Sequence, residues 1–329
     1  MSKKIIVITS ISSPTKAVLE FSKLEGYELI VVGDKKTPKD WKFENCNFIS
    51  VDKQNQKDFG IAKRLPFNHY SRKMIGYLAA IKLGADIIVD TDDDNIPKNN
   101  WGFPEFDNFY DVMNENLGFI NIYNLFTKQK IWPRGFPLDK INNGSLKFEN
   151  NKIKNRKVSV GVWQGLVDGD PDVDAIYRLT NNNPCFFKER NPIVLDKGTL
   201  CPFNSQNTVF RRELFALLYL PAFVTFRFTD ILRSLVAQVI MWLYGYRIGF
   251  LTSTAIQERN AHSLLKDFES EIPIYLHSEV VIGIIEKNIK SNLSIKDNLF
   301  TAYEALHEKS LVKKEELQLL EEWLRNIND

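Results

Sequence analysis

The chain is poor in cysteine and histidine and almost neutral, and each shortage removes a class of explanation. Three cysteines in 329 residues, Cys46, Cys185 and Cys201, are too scattered and odd in number for a disulfide framework or a zinc cluster. A reducing cytoplasm is therefore the expected compartment. Lys and Arg total 43 against 41 Asp and Glu, a formal charge of +2, so no nucleic-acid partner is expected and any basic surface must be local. No G-x-G-x-x-G follows a strand, and no G-x-x-x-x-G-K-[ST], H-E-x-x-H or G-x-S-x-G occurs. Dehydrogenase, P-loop and common hydrolase readings lose ground accordingly. After the first strand the chain runs Thr9-Ser10-Ile11-Ser12-Ser13-Pro14-Thr15-Lys16, without the Gly-rich, Arg-containing loop expected of a sugar nucleotidyltransferase.

Long uncharged runs are also missing. The stretch 214–246 is very apolar, yet Arg227, Asp230 and Arg233 divide it into pieces too short to span a bilayer. Buried helices are expected there, with peripheral contact at the inner face of the membrane left open. Met1-Ser2-Lys3-Lys4 leads straight into Ile5-Ile6-Val7-Ile8, a run too short for a signal peptide that reads as a first strand. There is no internal repeat.

What is present is a globular composition, 44% hydrophobic, 12% aromatic and 26% charged, enough for a sizeable core and against extended disorder. Strands at 5–10, 28–33 and 47–51 alternate with a helix at 15–23 in a βαβ pattern. Ser71 is placed to cap a helix whose apolar face holds Met74, Ile75, Leu78 and Ile81, and Gly84 ends it before a strand at 86–90. The expected fold class is α/β with a mostly parallel central sheet. Residues 97–157, with weak periodicity and an Asn142-Asn143-Gly144 turn signal, read as an excursion or hairpin insert. Strands at 158–162 and 247–252 flank a helical block at 212–246. Leu317, Leu320, Leu324 and Ile327 form an amphipathic helix that caps the domain or meets a partner. The expected division is a catalytic unit at 1–265 and a helical extension at 266–329.

The chemistry concentrates at Asp90-Thr91-Asp92-Asp93-Asp94-Asn95, four carboxylates within five positions at the end of a strand. In an open α/β sheet ligands bind outside the carboxyl ends of the strands. Such carboxylates repel one another unless a cation or several donors compensate them, and hard oxygen ligands suit Mg²⁺ or Mn²⁺ shared with a substrate diphosphate. A plain acidic turn is the alternative; an EF-hand fails, because Asn95 and Trp101 stand where Gly and Glu are required. Arg72 and Lys73 sit at a helix N-terminus, where cations oppose the macrodipole unless an anion lies between them. A solvated helix start is the alternative. Residues 165–174 carry Asp168, Asp170, Asp172 and Asp174 around Gly169 and Pro171, either a loop that grips sugar hydroxyls or a second cation, or a solvated turn. Asp230 lies in apolar sequence, as a general base toward an acceptor hydroxyl or as a structural partner of Arg233. His262, in the polar patch 257–262, is a metal or diphosphate ligand or merely structural. Trp163 and Trp242 read as core before they read as stacking platforms.

Together these motifs resemble the STELLO-type glycosyltransferase-like family, distantly similar to reversibly glycosylated polypeptides and UDP-arabinopyranose mutases. The likeness rests on Ile8-Thr9-Ser10-Ile11, 65–77, the Asp90 run, 168–174, Phe203-Asn204-Ser205-Gln206-Asn207-Thr208, 229–233 and 257–262, and covers most of the chain. It implies a GT-A type nucleotide-diphospho-sugar transferase fold, a nucleotide-sugar donor with UDP-sugar favoured, and Mn²⁺ or Mg²⁺ at the Asp-rich motif. Asp92 and Asp94, with His262, are the implied metal ligands. Thr9, Ser10, Arg72, Lys73, Asp90 and Asp93 are the implied donor contacts, Asp90 nearer the nucleoside, and Asp170 and Asp230 the implied catalytic carboxylates. Plant members carry a membrane-anchored N-terminal region that this chain is expected to lack. A free-standing enzyme acting on a glycan or lipid-linked glycan, in surface polysaccharide or glycoconjugate synthesis, is then expected. A sugar-nucleotide mutase and a non-catalytic scaffold of the same fold are the alternatives.

Overall fold

The structure is a computed structural model that describes residues 2–56, 60–142, 153–258 and 263–327. The first third contains β1 (Lys4–Ser10), α1 (Lys16–Phe21), β2 (Tyr27–Gly33), β3 (Asn47–Ile49), α2 (Val51–Gln56), α3 (Lys73–Lys82) and β4 (Ile87–Thr91). Thr15 caps α1 by accepting from the Val18 N–H. At the start of α3 the cap is not Ser71. A single 3₁₀ turn, Tyr70–Arg72, precedes the helix, and the His69 ring accepts from the Ser71 N–H at 3.1 Å. Gly84, at φ +80, carries the chain out of α3 as expected.

After β4 come β5 (Asn95–Pro97), β6 (Asp107–Met113), β7 (Gly118–Phe119), β8 (Ile153–Gly169), α4 (Ala175–Thr180), β9 (Ile193–Leu195), β10 (Thr199–Leu200) and β11 (Asn207–Arg211). Then follow α5 (Thr229–Leu243), β12 (Tyr246–Gln257) and three C-terminal helices, α6 (Leu264–Asn288), α7 (Ile295–Glu308) and α8 (Lys314–Asn326). Ten strands form one sheet in the order β3-β2-β1-β4-β11-β8-β6-β9-β12-β5, with β12 also paired to β8; β7 and β10 pair separately.

The sheet is mixed, which corrects the expectation of a mostly parallel one. β3, β2, β1 and β4 are parallel, but β11 runs antiparallel to both β4 and β8, and β6 antiparallel to β8. Apolar alternation marks a strand without saying which way its neighbour runs, and only the pairing of distant segments decides that. The segment read as an insert near 97–157 supplies β6 to this sheet; Asn143 and Gly144 lie outside the described residues.

Both faces of the sheet are covered. Along β1, Ile5 and Val7 join one hydrophobic cluster while Ile6 and Ile8 join another, the period of two expected of a doubly buried strand. The first cluster also takes in α5 and the C-terminal helices through Val281, Leu299, Tyr303, Leu319 and Trp323. Trp323 is fully buried and donates to the Ala216 carbonyl at 2.9 Å. Leu320 is buried and Leu317, Leu324 and Ile327 pack against the same cluster, so the apolar face of α8 is used within the chain. Trp163 and Trp242 are both core residues, Trp163 edge-on to Tyr110 at 5.0 Å. Among the described residues no helix is long and apolar enough to cross a membrane.

Candidate active site

β4 delivers Asp90 into the interior, where it is fully buried between two cations. Lys73 Nζ donates to Asp90 at 2.9 Å, to Asp92 at 2.7 Å and to the Thr91 carbonyl at 2.8 Å. Arg233 donates to the other Asp90 oxygen at 2.7 Å, to Ser205 Oγ at 3.0 Å and to the Asn204 carbonyl at 3.2 Å. Buried charges persist only when paired and hydrogen-bonded, and here each Asp90 oxygen has its cation, although Arg233 Nε has no partner among the described residues. Burial pulls Lys73 toward neutrality, but Asp90 and Asp92 outweigh it and carry its pKa up to about 12. Asp90 is thus the counter-ion of Lys73 and Arg233, with no surface left for a nucleoside, and Arg233 pairs with it rather than with Asp230. Lys73 reaches the acidic run from beneath. Arg72 faces the other way: its guanidinium donates to Gln54 and to the carbonyls of Ala62 and Leu65 and lies 4.2 Å over the Phe67 ring. Burial therefore makes Arg72 a structural residue rather than a donor contact.

The next three aspartates part company. Asp92 keeps 36% of its side chain exposed and borders a cleft. Partial burial of its carboxylate raises its pKa, Lys73 opposing and Asp94 reinforcing the shift. Asp93 accepts from Ser10 Oγ, and its carbonyl accepts from Thr15 Oγ1 at 2.6 Å. Ser10 and Asp93 are brought together, but to fasten the turn. Thr9 lies in β1 opposite Val32. Asp94 accepts from Gln257 Nε2 at 2.8 Å, and Gln257 in turn accepts from Gln206. Asn95 is fully buried, and among the described residues neither amide atom has a hydrogen-bond partner. His262 lies outside the described residues.

The second acidic segment is held largely by protein. Asp168 takes Lys98 at 2.6 Å and the Phe187 N–H at 2.9 Å. Asp174 caps α4 and accepts from Trp132 Nε1 at 2.6 Å. Asp170 meets Arg178. Asp172 is gripped by Arg134, which donates to its two oxygens at 2.8 Å each and to the two of Asp230 at 3.0 and 2.9 Å. Asp230 also accepts from Tyr70 Oη at 3.0 Å and the Ser205 N–H at 3.3 Å. Burial pushes Asp230 up, but Arg134, with Arg233 and Arg227, overcomes it and leaves the carboxyl below its ordinary range. A carboxylate so held is a weaker proton acceptor than a free one.

Arg134 is the residue the sequence reading missed. It stands in Trp132-Pro133-Arg134-Gly135-Phe136-Pro137, and a lone guanidinium in an apolar run was the available signal. Gly135, at φ +91, packs so closely that a Cβ would come within 2.6 Å of Ile231 on α5. This brings Arg134 against the first turn of that helix.

The cleft is lined by Asp92, Asp170, Asp172, Asp230 and Asp267 on the acidic side and by Arg134, Arg178 and Arg227 on the basic side, with Asn204, Gln206 and Gln257. Five carboxylates face three guanidiniums and, on Asp92, the Lys73 ammonium, leaving an excess of negative charge that a divalent cation would offset. Among the described residues no three His, Cys, Asp or Glu side chains gather around one point. A cation here would hold one or two carboxylates and complete its shell with water and phosphate, as Mg²⁺ and Mn²⁺ prefer. The unpartnered Asn95 amide beside these carboxylates in sequence fits a turn that gains polar contacts on binding.

An α/β sheet that ends in an acidic, arginine-flanked cleft is thus the frame, and comparisons give it a family. Residues 227–329 match the family model of STELLO glycosyltransferases, a segment that includes Arg227, Asp230, Arg233, Gln257 and all three C-terminal helices. "Probable glycosyltransferase STELLO1" of Arabidopsis thaliana is 29% identical over 273 residues, covering 77% of this chain and 35% of the relative. "Probable glycosyltransferase STELLO2" of the same plant is 30% identical over 263 residues, covering 74% and 34%. The sequence kinship of the chain is with the STELLO-type glycosyltransferase-like family. The chain spans about a third of the length of these curated relatives. A crystal structure of a mycobacterial protein aligns with TM-score 0.42 at 12% identity, covering 84% of this chain and 74% of that one.

Proposed function

We propose that the chain is a metal-dependent glycosyltransferase of the GT-A type, moving a sugar from a nucleoside-diphosphate donor to an acceptor hydroxyl. The observation that carries this reading is the cleft's excess of carboxylate around Asp92. A diphosphate alone would be repelled, whereas a diphosphate bound together with Mn²⁺ or Mg²⁺ would be drawn in. Asp92 and Asp94 are the cation-holding pair, because Asp90 is spent inside and Asp93 fastens the turn. When bound, the cation supplies Lewis-acid stabilisation of charge on the departing diphosphate.

The chain's own groups do the rest. Lys73 fixes Asp92 and Gln257 fixes Asp94. Arg178 and Arg227, on the cleft wall, are the guanidiniums offered to phosphate or sugar oxygens. Asp170, at the cleft beside Arg178, is the carboxylate placed for the acceptor. A UDP-sugar donor, a glycan or lipid-linked glycan acceptor and a place in surface polysaccharide or glycoconjugate synthesis are the expectations that go with this reading.

The test is a thermal-shift and calorimetric titration with UDP, GDP and CDP, each with and without Mn²⁺. Stabilisation by one nucleotide, only when metal is present, is the expected result, since a ligand raises stability in proportion to its occupancy of the folded state. A folded protein indifferent to every pair would sink the proposal.

A further inference from the structure

The inward face of α6 carries Ile274, Ser278, Val281, Ile282 and Ile285, all buried. Its outward face is not polar. Leu265, Ile272, Leu276 and Val280 are 71%, 40%, 64% and 51% exposed, and at regular helical spacing they fall in one stripe about 80° wide and about 22 Å long, with Pro273 inside the helix at its middle. Gly283 extends the stripe. A Cβ built on it meets nothing within 4 Å among the described residues, so the chain's own packing does not call for a glycine there. A glycine inside a helix costs about 1 kcal/mol against alanine. Its use on an apolar surface is accounted for by the close approach of another backbone.

The stripe also indicates its occupant. Positions 265, 269, 272, 276, 280, 283 and 287 have the same spacing read from either end, with exposed Glu269 near the N-terminus of α6 and exposed Lys287 near its C-terminus. Two copies laid antiparallel set Ile272 of each against Val280 of the other, Glu269 beside Gly283 and Lys287 one turn beyond. A parallel arrangement would set like charges together. An anionic bilayer fits poorly, because α6 carries five acidic residues against two lysines, the reverse of a membrane-surface helix. We infer that this face of α6 is a homodimer interface, antiparallel about a two-fold axis at Leu276. The inference does not depend on glycosyl transfer.

The test is sedimentation velocity and light scattering on the full chain through the micromolar range. A mass of two chains is expected. Leu276→Glu places two carboxylates on the axis and is expected to halve the mass. Glu269→Lys is expected to weaken association by about tenfold or more, and Glu269→Lys with Lys287→Glu to restore it. Gly283→Leu, which meets nothing within 4 Å among the described residues and relieves the helix of a glycine, is expected to melt no lower than wild type and yet lose the dimer. A one-chain mass throughout, or a dimer indifferent to these variants, overturns the inference. So does a monomer that floats with phosphatidylglycerol vesicles, which would assign the stripe to lipid.

Discussion

Arg134 and Asp230, 96 residues apart in sequence, are joined by two hydrogen bonds of 3.0 and 2.9 Å inside the protein. The same guanidinium holds Asp172 with two more. One side chain thereby ties the loop after β8, the 130s and the first turn of α5 into a single wall of the cleft.

Breaking this clamp leaves two buried carboxylates without their cation. Arg134→Leu is expected to cost about 3–5 kcal/mol in denaturant unfolding. Arg134→Lys should recover only part of it, because an ammonium cannot make both forked contacts. A lysine variant as stable as wild type would show that the paired geometry is unimportant.

Asp230→Asn separates positioning from proton transfer. A general base lost in this way lowers turnover by about 10²–10⁴. As a positioning residue, Asp230 should instead show reduced stability, with turnover per folded molecule down by about tenfold at most. Stopped single-turnover assays on a folded sample decide between them.

The aspartates of the acidic run should differ sharply. Asp92→Asn and Asp94→Asn are expected to weaken Mn²⁺-dependent nucleotide binding by at least about tenfold, whereas Asp93→Asn keeps metal dependence and loses thermal stability with its Ser10 contact. Equal loss in all three would mean that the turn acts as one undivided cluster.

Stability should also fall in mild acid through His69. Burial lowers its pKa from the ordinary 6.5 of a free histidine to about 4 against the pull of Asp34. The depressed folded value means the contribution is fully present above 6.5 and is lost as pH falls through 4, roughly 3 kcal/mol in all. His69→Asn, which keeps an acceptor for the Ser71 N–H but does not titrate, should flatten urea midpoints between pH 7 and 4. An unchanged slope would assign the loss to other groups.

Gly249 gives a test of packing. A Cβ there would stand 2.2 Å from the ring of Trp163, which is fully buried and has no room to yield. Gly249→Ala is expected to cost about 1–3 kcal/mol by overpacking, and Gly249→Val more. A neutral alanine in thermal unfolding would show that β8 and β12 can shift apart.

The sequence by itself determined the local elements and the site's address. Apolar runs at 5–8 and 29–32 marked strands, the pattern at 15–23 a helix, Gly84 the end of the helix before β4, and four aspartates at the end of β4 a polar site. These are properties of neighbouring residues, set by backbone stereochemistry and by side-chain period. Tertiary structure alone decided what each aspartate does. Asp90, Asp92 and Asp93 are the same residue type in one turn, yet the first is consumed by Lys73 and Arg233, the second opens to the cleft and the third binds Ser10. The partners come from β1, α3 and α5, so no local pattern encodes the assignment. The sheet's mixed orientation and the clamp of Arg134 were hidden for the same reason: both are contacts between distant segments, and a charge acquires its role only when burial makes its pairing obligatory.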